Sequence, residues 1–139
     1  MGEMMFKRYI TIGFLTASIM TGCSIGKVEN IRVRELDYTV VNERDIPEKL
    51  KETIEKRKET PFQLAFESEG YLYIAKGYGI RDTGGHCITI EDLYLGKNGI
   101  YVQTVLYGPE TEEEKGRGKS YPYIVIKLEG RNEPVMFVG

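Results

Sequence analysis

Residues 86–107 read HCITIEDLYLGKNGIYVQTVLY, and this stretch decides the fold. Apolar and polar residues alternate on both sides of Gly96-Lys97-Asn98-Gly99, which is the period-two pattern of half-buried β-strands. Asn-Gly is a strong hairpin signal, because both residues accept the positive φ values that a tight turn requires. The stretch therefore predicts two antiparallel strands, His86–Leu95 and Ile100–Tyr107, joined by a short turn.

The same alternation continues along the chain in both directions from this hairpin. Phe62–Phe66 and Tyr71–Lys76 flank Glu67-Ser68-Glu69-Gly70, and this arrangement predicts a second hairpin. Further strands are predicted on the same pattern at Val33–Val41, Tyr123–Leu128 and Val135–Val138. The chain therefore has about seven predicted strands, mostly in the order of an antiparallel meander.

One helix is predicted to begin near Asp45. Asp45 and Glu48 have the spacing of a capping box, and Pro47 falls in the first turn, where its missing N–H costs nothing. The apolar residues of this segment recur at every fourth position, at Ile46, Leu50 and Ile54. Pro61 ends the helix, since the residue before a proline avoids the α region. Together these patterns predict an α+β domain, in which a mainly antiparallel, curved sheet packs on one helix.

The beginning of the chain has the layout of an export signal. Lys7-Arg8 precede an uncharged, mostly apolar run that closes with Met20-Thr21-Gly22-Cys23. An apolar residue, a small residue, glycine and then cysteine resemble the lipobox of bacterial lipoproteins. This resemblance implies cleavage before Cys23, a diacylglyceryl group on its thiol and acylation of the new amino terminus. The protein is then expected on the extracytoplasmic face of the cell membrane, anchored in the bilayer by lipid.

Two other interpretations of this segment remain open. No charge occurs between Arg8 and Lys27, so the segment could be an uncleaved anchor, although its several small and polar residues weaken a span that needs about 20 apolar residues. It could also be an ordinary cleaved signal that contains a cysteine. All three interpretations place the folded part outside the cytoplasm. The lipoprotein interpretation divides the chain into a signal peptide at 1–22, a lipidated tether at 23–32 and a single domain at 33–139.

The composition of the mature chain limits its function. Removing the first 22 of 139 residues leaves 117 residues with 17 basic and 20 acidic side chains, a net charge of −3. This balance argues against nucleic-acid binding, which usually requires a strong basic excess. If Cys23 carries lipid, only Cys87 remains, and an intramolecular disulfide is impossible. The single histidine, His86, argues against a zinc site, and we predict no metal or cofactor.

No catalytic residue is predicted, and the chain is not expected to be an enzyme. His86 and Cys87 are neighbours in a predicted strand, so their side chains point to opposite faces of the sheet and cannot form a nucleophile–base pair. A second histidine is absent from the sequence, and so is the G-x-S-x-G motif of serine hydrolases.

A glycine-rich loop is the strongest candidate for a binding site. It reads Gly79-Ile80-Arg81-Asp82-Thr83-Gly84-Gly85 and joins two predicted strands. The glycines could simply supply the dihedral angles of a turn. Alternatively, the loop could present Asp82, Thr83, Gly84 and Gly85 to a partner, since binding residues often lie on loops held by a rigid sheet. Pro109–Ser120, with its acidic and then basic residues, is predicted to be a solvated loop.

Several short motifs occur together between the second hairpin and the last strands. They are Gly77-Tyr78-Gly79, Thr83-Gly84-Gly85, Ile88, Pro109, Tyr121-Pro122-Tyr123, Val125 and Ile126. Together they resemble the carboxy-terminal domain of the PrcB family, described as subunits of a surface protease complex. The resemblance covers Tyr71 to Leu128. Family members commonly have Tyr-Ser where this chain has His86-Cys87.

The resemblance implies a non-catalytic lipoprotein that binds or stabilises an extracellular protease. Two alternatives remain open. The chain could be a protease inhibitor acting through Asp82–Gly85, since a glycine-flanked threonine loop is similar to the loop of chagasin-type inhibitors, although this chain lacks their Asn-Pro. It could also be a glycan- or small-molecule-binding module lined by tyrosines.

Overall fold

The structure, a computed structural model, describes residues 32–138. The predicted signal peptide at 1–22, the proposed lipidation site Cys23 and all of the predicted tether except Arg32 lie outside the described residues. Within the described part of the chain, no helix is long and apolar enough to span a membrane.

The described residues form eight β-strands, two α-helices and one turn of 3-10 helix. In chain order they are β1 (Arg32–Glu35), β2 (Thr39–Val40), the 3-10 turn (Glu43–Asp45), α1 (Glu48–Arg57), β3 (Pro61–Ser68), β4 (Tyr71–Tyr78), β5 (Cys87–Gly96), β6 (Ile100–Tyr107), α2 (Glu112–Lys115), β7 (Tyr123–Glu129) and β8 (Val135–Val138).

The strands divide between two four-stranded sheets. The first sheet has the order β2-β7-β4-β3 and the second the order β1-β5-β6-β8. All neighbours are antiparallel except β6 and β8, which are parallel. The predicted α+β class is therefore confirmed, and the strands predicted as one curved sheet are shared by two open sheets.

The core has two layers, one on each face of the first sheet. Between the two sheets lie eight buried apolar residues: Leu36, Leu72, Ile74, Leu93, Ile100, Val102, Ile126 and Leu128. The second layer, between α1 and the first sheet, consists of seven buried residues: Ile46, Leu50, Ile54, Phe62, Tyr73, Ala75 and Val125. Successive residues of a strand point to opposite faces, so β4 and β7 contribute to both layers. The Tyr78 hydroxyl is hydrogen-bonded to the Thr104 hydroxyl, which links the two sheets.

The predicted first strand, Val33–Val41, is two strands in different sheets. β1 pairs with β5 and β2 pairs with β7. Leu36, between them, is buried between the sheets, and its N–H donates to the Leu93 carbonyl oxygen at 3.3 Å. The chain leaves the second sheet after β1, and this crossing separates the two strands.

The apolar stripe of the helix is confirmed, whereas its predicted capping box is wrong. Leu50 and Ile54, whose side chains pack between α1 and the first sheet, are each 1% exposed. Asp45 belongs to the 3-10 turn, and no side chain caps α1, whose N-cap position is Pro47. The first backbone bond of the helix runs from the Lys51 N–H to the Pro47 carbonyl oxygen at 2.9 Å. The turn shifts the start of the helix past Asp45, which is why its carboxylate does not reach the helix amides.

Both predicted hairpins are present. The β5–β6 turn closes with a bond from the Gly96 N–H to the Gly99 carbonyl oxygen at 2.8 Å. The β3–β4 turn is tighter than predicted, because β3 extends to Ser68, whereas β4 begins at Tyr71 as predicted. Its two residues, Glu69 and Gly70, have φ values of 51° and 85°, the left-handed geometry that two-residue hairpin turns require.

Candidate functional site

The predicted binding loop packs against a second loop. Residues 79–86 connect β4 to β5, and residues 108–122 connect β6 to β7; we call them the paired loops. Arg81 and Ser120 form an isolated β-bridge, with backbone bonds of 2.9 and 3.0 Å between them. The Gly84 N–H donates to the Lys115 carbonyl oxygen at 2.7 Å, and the Ser120 hydroxyl donates to the Thr83 carbonyl oxygen at 2.6 Å. The two loops therefore form one hydrogen-bonded surface.

Gly84 and Gly85 allow the two backbones to approach closely. Gly85 has a φ of +82°, and a Cβ there would meet the Glu114 carbonyl oxygen and lie 2.9 Å from Pro109 Cβ. A Cβ on Gly84 would lie 3.2 Å from the Lys115 carbonyl oxygen. These contacts support the interpretation in which the glycines have a structural role. They allow the two loops to pack closely, and they also supply the dihedral angles of the turn.

The four predicted binding residues differ in what they offer to a partner. Asp82 is exposed, and its carboxylate is the most accessible side chain among them. Thr83 is half-buried, and its hydroxyl donates to the Gly84 carbonyl oxygen at 3.3 Å. The two glycines contribute backbone only. Asp82 is therefore the residue through which this loop can be probed without disturbing its packing.

The second loop, predicted to be a solvated loop at Pro109–Ser120, contains the short helix α2. The Glu114 N–H donates to the Thr111 hydroxyl at 3.1 Å, and the Glu110 N–H donates to a Glu114 carboxylate oxygen at 2.8 Å. Lys115 pairs with Glu112 at 2.9 Å. Thr111 and Glu114 have capping-box spacing, so the T-x-x-E signal was available in the sequence. The acidic run is therefore an ordered, exposed turn of helix beside Asp82's loop.

The Tyr121-Pro122-Tyr123 motif leads from the paired loops into β7. The Tyr78 N–H donates to the Pro122 carbonyl oxygen at 3.0 Å, and Lys58 Nζ lies 5.0 Å from the centre of the Tyr121 ring. Tyr123 packs beneath α1, and burial, with a smaller contribution from nearby carboxylates, raises the pKa of its phenol. The motif therefore serves in part to attach the loop surface to the first sheet.

His86, predicted as the first residue of a strand, is the last residue of the loop before β5, and Cys87 is the first residue of β5. Cys87 is exposed and lies opposite Tyr107 on β6. His86 is half-buried, and its Nδ1 is buried without a hydrogen-bond partner in the described part of the chain. Across residues 32–138, no three His, Cys, Asp or Glu side chains are placed to hold a metal ion.

Residues 72–129 match the family model described as PrcB C-terminal. The match covers 58 of the chain's 139 residues, and over these residues the chain is similar to the PrcB C-terminal domain. The resemblance predicted from the motifs, over Tyr71–Leu128, is thereby confirmed. No curated protein and no solved structure matches the chain.

The segment that matches the family model coincides with the centre of both sheets. The matched residues run through β4, β5, β6 and β7, which are the two inner strands of each sheet. Both paired loops lie inside the match. The strands outside it, β1, β2, β3 and β8, are the four edge strands, and α1 covers the outer face of the first sheet.

Proposed function

We propose that this protein is an exported lipoprotein, anchored by acylated Cys23, that acts as a non-catalytic accessory or stabilising subunit of a cell-surface protease complex. The observation that carries the proposal is the PrcB C-terminal match at residues 72–129, since the family supports a role related to a protease complex subunit. The lipobox-like Met20-Thr21-Gly22-Cys23 supports the membrane anchor. The proposed location is the extracytoplasmic face of the cell membrane.

The geometry of the paired loops favours an accessory role over direct inhibition. An inhibitory loop must enter the cleft of its target, whereas the backbone at Thr83 and Gly84 is tied to Ser120 and Lys115. Such a bridged surface suits a broad contact with a partner subunit, which depends on shape and a polar rim. In this proposal, the exposed Asp82 lies on that contact surface.

Metabolic labelling with a clickable palmitate analogue tests the anchor. The wild-type protein is expected to become labelled and to fractionate with membranes, and Cys23→Ser is expected to lose both properties. Cys87→Ser is the matched control, because it removes the other cysteine of the chain while leaving the lipobox intact. A Cys23→Ser protein that is labelled as strongly as wild type would overturn the lipoprotein proposal.

Affinity capture from native membranes tests the protease role. A carboxy-terminally tagged full chain is expected to co-purify with proteolytic activity, and Asp82→Lys is expected to recover less of it. Glu69→Lys is the matched control, because it makes the same charge reversal at an exposed turn at the other end of β4. Absence of protease from the wild-type eluate, or equal recovery by both variants, would count against the proposed surface.

A further inference from the structure

β3 is an unprotected edge of the first sheet. It runs for eight residues, and within the described chain no strand lies beyond it in the order β2-β7-β4-β3. An open edge presents unpaired N–H and C=O groups, which are a template for another extended segment. β3 lies outside the matched family segment, so its use is independent of the proposed role of the paired loops.

The register identifies the backbone groups that face outward from β3. The bond from the Tyr78 N–H to the Pro122 carbonyl shows that even-numbered residues of β4 direct their backbone groups towards β7. Backbone groups alternate in direction along a strand. The residues of β3 that lie opposite these even-numbered positions therefore direct their N–H and C=O groups away from the sheet: Gln63, Ala65 and Glu67. All three have exposed side chains.

Two cations without ion-pair partners flank the beginning of this edge. A groove of about 470 Å³ wraps around it, lined by Arg57, Thr60, Pro61, Phe62, Gln63 and Lys76. Neither Arg57 nor Lys76 forms an ion pair within residues 32–138. By contrast, the neighbouring Lys58 is paired with Glu55 at 3.0 Å. The groove therefore carries two positive charges that no carboxylate of the described residues pairs with, one from the end of α1 and one from β4, although Lys76 Nζ also lies 5.2 Å from the centre of the Tyr78 ring.

We propose that the β3 edge binds an extended acidic segment of a partner protein by strand addition. Backbone bonds to Gln63, Ala65 and Glu67 supply the pairing, as in other cases of β-augmentation. Carboxylates of the segment lie at the Arg57 and Lys76 end, where the charges are complementary. Glu67, at the other end of the edge, disfavours an acidic residue opposite it. The preferred ligand is therefore acidic in one half and neutral or basic in the other.

Amide chemical shifts of the isotope-labelled full chain in detergent test this proposal. The probe is a capped peptide with threonine and valine alternating in its first half and glutamate and threonine in its second, so that antiparallel pairing with β3 brings its glutamates to the Arg57 and Lys76 end. It is expected to shift the amides of Gln63, Ala65 and Glu67, and its affinity is expected to fall as salt rises. The same peptide with glutamine in place of glutamate is expected to bind more weakly. Shifts confined to the paired loops would overturn the proposal.

Two pairs of variants separate charge recognition from backbone pairing. Arg57→Gln combined with Lys76→Gln is expected to weaken binding of the acidic probe by about two- to thirtyfold, because two exposed ion pairs are lost. Lys49→Gln combined with Lys56→Gln is the matched control, because it removes the same charge from α1 positions outside the groove. Equal affinity of these two double variants would overturn the charge assignment.

Backbone pairing is tested at Ala65. Ala65→Pro removes an N–H that faces away from the sheet, which an edge strand tolerates, and it is expected to abolish the amide shifts. Ala65→Ser keeps the N–H and is expected to bind as wild type does. Unchanged binding by a folded Ala65→Pro protein would overturn strand addition. These measurements use no protease, so their failure would leave the proposed function intact.

Discussion

Gly70 and Gly85 have nearly the same backbone geometry but different surroundings. Their φ values are 85° and 82°. A Cβ on Gly70 would meet nothing within 4 Å, whereas a Cβ on Gly85 would meet the Glu114 backbone and Pro109. A left-handed φ costs an alanine about 1 kcal/mol, and forced overlap adds about 1–3 kcal/mol. Alanine substitutions at the two positions therefore separate the free-energy cost of the left-handed backbone conformation from the cost of steric overlap.

We expect Gly70→Ala to lower the free energy of unfolding by about 1 kcal/mol and Gly85→Ala to lower it by about 2–4 kcal/mol. Urea denaturation of both variants, followed by circular dichroism, measures the difference. Equal destabilisation would mean that the paired loops separate easily enough to accept a methyl group, and the close approach of Gly85 to Glu114 would then have no structural importance.

The Arg32–Asp92 pair makes stability depend on pH. Arg32 donates to both carboxylate oxygens of Asp92 at 2.9 and 2.8 Å, and these bonds lower the pKa of Asp92. A carboxyl whose pKa is lower in the folded state binds protons more tightly when unfolded. Its contribution is therefore present above the ordinary aspartate pKa of about 3.9 and is lost as the pH falls through the lower folded value.

Asp92→Asn is accordingly expected to be less stable than wild type near pH 6, with a gap that closes as the pH falls below about 4. The gap is expected to be small, because the pair is partly exposed and screened by solvent. Asp37→Asn is the control, since Asp37 is exposed and forms no ion pair within residues 32–138. Urea midpoints measured from pH 6 to 2 test this expectation, and a gap that is constant across the range would contradict it.

At the scale of elements, α1 is held by its apolar stripe and not by its amino-terminal cap. Leu50 packs against the first sheet and is 1% exposed. Asp45 makes no side-chain hydrogen bond to the helix amides. We expect Leu50→Ala to lower the free energy of unfolding by about 2–5 kcal/mol. Asp45→Ala is expected to change it by less than about 0.5 kcal/mol, because no cap is lost. Thermal denaturation distinguishes the two variants. A large loss of stability in Asp45→Ala would support the capping box predicted from the sequence.

Local patterns predicted most of the individual elements but not how distant elements meet. Period-two alternation located β5, β6 and β8 to within one residue, because alternation reports burial of one face directly. The Val33–Val41 pattern could not show that its two halves join different sheets. Similarly, the importance of Gly85 depends on Glu114, which belongs to a different loop of the chain. The binding role predicted for Asp82–Gly85 stays a prediction for the same reason, since it concerns contacts beyond the chain.

For the molecule as a whole, the segment that matches the family model lies at the centre of both sheets, and the elements outside it lie around that centre. Residues 72–129 supply the inner strands of both sheets, and the remaining chain supplies every edge strand and α1. Tyr73, Ala75 and Val125 are buried by α1, on the face of the first sheet that points away from the second. The matched segment therefore contains every buried residue of the layer between the sheets except Leu36, and three of the seven buried residues of the layer between α1 and the first sheet.

We expect a fragment of residues 71–130 not to fold alone, whereas residues 32–139 fold cooperatively. Without α1, the fragment exposes the apolar side chains of Tyr73, Ala75 and Val125 to water. Without the edge strands, both of its strand pairs leave every outer N–H and C=O unpaired, and two-stranded pairs are marginal in water. Amide dispersion in NMR spectra of the two fragments tests this expectation. A well-dispersed spectrum from residues 71–130 would show that the inner strands suffice, and α1 and β3 would then be free to serve the edge-binding role without supporting the fold.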